Sequence, residues 1–134
     1  MDRFRDAFAQ FDPAQPFPVD EVYAPDVVFE DPAHRMEGRE ALRAYFHRLN
    51  RNVRSIHFGF DDDLRGEGRA ALSWTMEIKL KVGPRRSVVV PGTSWLRHDE
   101  SFVTLQRDHF DLGALVYEQV PVVGSVIRLL RRAL

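Results

Sequence analysis

The chain has no cysteine, so neither a disulfide framework nor a thiolate metal site is available to it. It has no strong charge of one sign. A net charge of -1 lacks the basic excess that a nucleic-acid partner requires. No apolar run in it approaches the roughly 18 residues of a membrane-spanning helix. The opening residues, Met1 to Asp6, lack the apolar core of a secretion signal, and the reading is a cytoplasmic protein. No glycine-rich loop cradles a phosphate. The histidines His34, His47, His57, His98 and His109 show no ligand spacing, so no metal or other cofactor is expected.

What the chain does have is aromatic mass. Ten Phe, three Tyr and two Trp among 134 residues suffice for a core or for the walls of a pocket. Phe4, Ala7, Phe8 and Phe11 recur at helical spacing, which predicts a helix over 2–11. Residues 19–24 read as one or two helical turns, and 26–31 as a short strand stopped by Pro32. Leu42, Tyr45, Phe46 and Leu49 form one apolar stripe of a helix over 39–51.

Beyond residue 60 the period changes from 3.6 to 2. Ala70, Leu72, Trp74, Met76, Ile78 and Leu80 alternate with polar residues, which predicts a long half-buried strand. Residues 82–86 turn the chain, and 86–97 and 102–111 read as two more strands. Asp61, Asp62 and Asp63 read as a solvated turn. Helices first, then a run of long strands, predicts an α+β fold.

Two segments carry a resemblance. Val22-Tyr23-Ala24-Pro25-Asp26, Phe29-Glu30-Asp31-Pro32 and Glu37-Gly38-Arg39-Glu40-Ala41-Leu42 resemble the ketosteroid isomerase stretch in which an aspartate before a proline is the catalytic base. Arg107-Asp108-His109-Phe110-Asp111 is similar to a stretch of limonene epoxide hydrolases and SnoaL-like polyketide cyclases. With the order of elements, these resemble the nuclear transport factor 2-like superfamily over residues 1–115. The resemblance implies a cone-shaped half-barrel of curved, mostly antiparallel sheet around an apolar pocket. It also implies a homodimer and a domain at 1–115, leaving 116–134 as an extension. Residue for residue, it places Asp31 at the base position. The isomerase's oxyanion donors have no counterpart: its tyrosine position falls near Ala7 and its acidic position on Ser94. The hydrolase's arginine is missing from Trp74-Thr75-Met76-Glu77.

The candidate site therefore has Asp31 as base, with Asp108 or His34 as acid. Phe29, Trp74, Met76, Val90, Ser94, Gln106 and Phe110 are the expected lining. An apolar small molecule with one or two polar groups is the expected ligand. Proton transfer on an apolar carbonyl compound is one reading, and a carrier, a sensor or an inert interaction module are the others. Asp31 as a turn cap and Asp108 as a buried structural carboxylate are the bland alternatives.

The tail at 116–134 is helical in pattern, interrupted by Pro121 and Gly124, with Arg128, Arg131 and Arg132 on its polar side. It packs on its own domain or on a second subunit, the usual use of an apolar stripe. The other reading is contact with an anionic membrane surface or a lid over the pocket.

Overall fold

The computed structural model describes residues 1–81, 87–115 and 121–134, with backbone alone at 121–124 and 127. The turn read at 82–86 lies outside the described residues. Helix α1 spans Asp2–Ala9 and buries Phe4 and Phe8, one turn apart on one face. A single turn, α2, spans Val19–Val22. Helix α3, Arg39–Asn52, buries Leu42 and Phe46. Gly38 stands at its N-terminus with φ of 86°, a conformation that a side chain would strain. The Gly38 N–H donates to the Val27 carbonyl at 2.7 Å, which fixes where the helix starts.

Among the described residues six strands form one sheet, in the order β2-β1-β6-β5-β4-β3. They are β1 (Tyr23–Glu30), β2 (Arg35–Glu37), β3 (Val53–Gly66), β4 (Arg69–Leu80), β5 (Val88–His98) and β6 (Val103–Phe110). All neighbouring pairs are antiparallel except β1 and β6, which run parallel. The sheet is curved and unclosed, and the helices pack on it, so the α+β expectation holds. On β4 the buried residues are Ala70, Leu72, Trp74, Met76 and Ile78, as the alternation predicts.

Three local readings are corrected. Asp61 to Asp63 are strand, not turn: β3 continues past them to pair Gly66 with Arg69. Arg65 and Arg5 reach Asp63 at 2.6 and 3.7 Å, Asp61 accepts from Thr75 Oγ1 at 3.3 Å, and the register shifts between Phe60 and Asp62. Strand β2 was hidden because its three residues are too few to show a period. Gly124 does not interrupt the last helix, since α5 (Pro121–Ala133) runs through it, while the residues that precede Pro121 lie outside the described residues.

The core has two connected parts. One joins α1, α3 and the start of β1, where Phe17 stacks on Phe46 with ring centres 4.0 Å apart. The other lies against β3, β4 and β5 around Trp74. Phe11, Leu49, Phe58 and Phe60 touch both.

Candidate functional site

The site grows from strand register. Ser94 on β5 stands opposite Asp108 on β6, Leu96 opposite Gln106, and Gly92 opposite Phe110. On the other side of β5, Gly92 faces Trp74 and Ser94 faces Leu72. Alternation puts these side chains on the face covered by the helices. Gly92 is where two structures would collide. A Cβ there would lie 2.5 and 2.6 Å from Cζ2 and Cζ3 of Trp74, so the indole occupies the place of the missing side chain.

The polar atoms on this face form one directed chain. Tyr23 donates its hydroxyl to Gln106 Oε1 at 2.6 Å. That contact orients the amide, so Gln106 Nε2 donates to Asp108 at 3.1 Å (Oδ1) and 3.0 Å (Oδ2). From the other side, Trp74 Nε1–H donates to Ser94 Oγ at 2.9 Å, and Ser94 Oγ–H donates to Asp108 Oδ1 at 2.6 Å. Every donor points toward the Asp108 carboxyl. Tyr23, Gln106 and Ser94 are fully buried. Tyr23→Phe leaves Gln106 Oε1 without its donor and is expected to cost about 2 kcal/mol, read from urea unfolding. A loss below a few tenths would mean that the amide finds another partner.

Burial pushes the Asp108 carboxyl up to about 7. The Ser94 and Gln106 donors oppose that rise, and the charge of Asp31 adds to it. Near neutral pH, Asp108 is therefore divided between acid and carboxylate, the condition suited to passing a proton. Burial also raises the Tyr45 hydroxyl, with the charges of Asp31 and Asp108 reinforcing it, so Tyr45 stays a neutral donor.

A cavity of about 80 Å³ opens beside this chain. Phe29, Tyr45, Phe58, Trp74, Phe110 and Asp108 are among its walls. The expected residues Met76, Ser94 and Gln106 line it too, and Leu115 of the short helix α4 (Leu112–Leu115) adds to the lining. Val90 is buried beside Trp74 and Met76 but is not on the wall. A larger hollow, about 730 Å³, lies between the 13–17 segment and α3. It is an open groove, flanked by Arg43, His47 and Lys81 and away from the polar chain.

Asp31 lies just past the end of β1, and its side chain is only 3% exposed. Its Oδ1 accepts from the backbone N–H of Ala33 at 2.8 Å and of His34 at 2.7 Å, which ties the turn before β2. The His34 ring lies 3.0 Å from the same oxygen, with its own side chain 48% exposed. Neither Asp31 nor His34 is on the cavity wall. Tyr45 joins them to it: the ring lines the cavity and the hydroxyl donates to Asp31 Oδ2 at 3.4 Å. The structure thus gathers Asp108, Ser94, Gln106, Trp74 and Phe110 at one place and sets Asp31 with His34 behind Tyr45. Tyr45 and Tyr23 as functional hydroxyls escape sequence reasoning. Both sit where an apolar residue belongs, one in a helical stripe and one at the start of a strand.

The SnoaL-like domain profile matches residues 1–104. No curated protein matches the sequence. A protein of ketosteroid isomerase-like fold from Catenulispora acidiphila, solved with trimethylamine, is 21% identical with a TM-score of 0.72, covering 84% of this chain and 85% of its own. A candidate SnoaL-like polyketide cyclase from Jannaschia sp. is 16% identical with a TM-score of 0.76, covering 90% of each chain. An epoxide hydrolase of the limonene epoxide hydrolase-like type from M. tuberculosis is 17% identical with a TM-score of 0.69, covering 93% of this chain and 92% of its own. These similarities show a shared fold. The profile match stops before Gln106 and Asp108.

Proposed function

The chain belongs to the SnoaL-like domain family, and from that premise we propose that it binds a small, mostly apolar carbonyl compound and exchanges a proton with it at Asp108. The observation that supports this reading is the position of Asp108. It is the carboxyl on the wall of an aromatic cavity, it is met by donors from both sides, and its pKa lies at about 7.

As carboxylate, Asp108 takes a proton from the carbon next to the carbonyl, and as acid it returns one to another carbon. On binding, Tyr45 turns its one hydroxyl proton from Asp31, a long contact at 3.4 Å, to the carbonyl oxygen as charge develops there. In the unliganded site Asp31 holds that hydroxyl and the turn around His34. Size narrows the ligand. Cavities of about 150 Å³ take benzene, so about 80 Å³ accommodates a group of three or four heavy atoms. The reacting end of a substrate fits, whereas a steroid-sized body does not.

The test is exchange of α-protons for deuterium in D₂O, followed by NMR over a panel of short apolar ketones. The parent protein is expected to accelerate exchange, with a rate that rises with pH through about 7 as Asp108 ionises. Asp108→Asn is expected to reduce the rate at least about a hundredfold, and Asp31→Asn by less than about tenfold. Saturable ketone binding without exchange would replace this reading with that of a carrier. A larger loss from Asp31→Asn than from Asp108→Asn would return the base role to Asp31.

A further inference from the structure

Helix α5 and the residue after it expose large apolar side chains. Val126, Leu129, Leu130 and Leu134 are 53%, 67%, 60% and 107% exposed. At about 100° per residue, Val126, Leu129, Leu130 and Ala133 fall on one arc of about 100°, and Leu134 follows the helix end. Arg128, Arg131 and Arg132 lie together on the opposite side. No acid occurs between residues 121 and 134. The whole chain has a net charge of -1, so positive charge is concentrated on the helix that exposes its leucines. It is tied to the end of the sheet where Arg131 Nη2 lies 3.4 Å from Asp111 Oδ2, just past the end of β6. Arg128 also donates to Ser125 Oγ, at 3.2 Å.

We propose that α5 docks the protein on an anionic phospholipid surface. Its Leu129 and Leu130 side enters the boundary between headgroups and acyl chains, and its arginines meet the phosphates. Three features select this occupant. The apolar arc is exposed in the folded chain, so it is not a face held in the core. Arginines across from the arc suit a helix lying in an interface, because their long stems let the guanidinium reach the headgroups while the apolar side is buried. The charge is of one sign, opposite to that of anionic lipid. Among the described residues no helix is long and apolar enough to cross a membrane, so the proposal places α5 on the surface.

The experiment is co-sedimentation of the full chain with vesicles of phosphatidylcholine alone or mixed equally with phosphatidylglycerol. Three arginines, at the usual strength of a basic residue near such a surface, predict partitioning about a hundredfold stronger on the anionic vesicles, weakening as salt rises. Arg128→Gln/Arg131→Gln/Arg132→Gln should bring binding down to the level on neutral vesicles. Leu129→Asp/Leu130→Asp should abolish binding to both. Far-UV circular dichroism checks that each variant keeps its strands. Equal partitioning on the two vesicle types, or none on either, overturns the proposal. If the parent ignores vesicles and is a dimer that the leucine variant converts to a monomer, a second copy of the chain covers this face instead. The outcome is independent of deuterium exchange at Asp108.

Discussion

At pH 8, Asp108→Asn is expected to unfold at higher urea than the parent, by on the order of 3 kcal/mol. The cause is the cost of keeping a charge among apolar groups. In the folded chain the Asp108 carboxyl holds its proton up to about 7, whereas its ordinary value is 3.8. Between those values the folded state binds the proton more tightly than the unfolded state does. Stability from this group is therefore fully present below about pH 4. It falls as pH rises through about 7, where the folded protein must also give up the proton. Asparagine stays neutral throughout. Its carbonyl oxygen accepts from Ser94 and from Gln106 at the place of Oδ1, while its NH2, at the place of Oδ2 and 3.0 Å from Gln106 Nε2, meets a second donor as the O–H of the parent acid does. The parent and the variant should thus converge near pH 4 and separate toward pH 8. The surface carboxylates held low by arginine neighbours, such as Glu30 beside Arg107, titrate alike in both and cancel in the difference. A difference that stays constant from pH 4 to pH 8 would show that Asp108 is an ordinary carboxylate. It would also remove the main support for proton exchange at this position.

The same residue shows how far reading the chain can go. Asp108 was legible through the Arg107-Asp108-His109-Phe110-Asp111 stretch, and its neighbours Gln106 and Phe110 followed from alternation along one strand. Trp74 and Met76 followed from the longest period-2 run in the chain. Contacts between strands were not legible, because they depend on register. That Ser94 meets Asp108 and that Trp74 lies over Gly92 are consequences of how β5 pairs with β6 and β4. Asp31 shows the opposite limit. Alternation places it on the side of Phe29, but β1 ends at Glu30, and beyond that point the turn sets the direction of the side chain. Two backbone N–H groups within three residues claim its carboxylate, and Tyr45 stands between it and the cavity lining. The run Asp61 to Asp63 misleads for a related reason. Charge normally marks a turn, yet β3 carries all three: Arg5 and Arg65 meet Asp63, and Asp61 accepts from Thr75 on the neighbouring strand.

Gly92→Ala is expected to destabilise the fold by about 3 kcal/mol, the upper part of the usual range for overpacking. In most strands this substitution is neutral or helpful, since glycine adds no packing and has much freedom to lose. Here the position carries no left-handed φ, so the backbone accepts a side chain. What opposes it is the Trp74 ring. The new methyl would sit 2.5 Å from Cζ2 and 2.6 Å from Cζ3, with Cη2 closer still, and none of these belongs to a flexible chain end. Trp74 cannot simply tilt away. Its Nε1–H is held by Ser94 at 2.9 Å, and its ring packs edge-on to Phe58 with centres 5.6 Å apart. Any shift of the indole therefore reaches Ser94 and, through it, Asp108. Shortening the ring provides the control. Trp74→Leu alone should cost about 3 kcal/mol, for the lost contacts and the lost donor to Ser94. Combined with Gly92→Ala it should cost clearly less than the sum, because the space that the methyl needs is then vacant. Urea unfolding of the two single variants and the double variant measures this coupling. If the three costs add, the clash with Trp74 is not what glycine avoids at position 92, and the register of β4 against β5 needs another explanation.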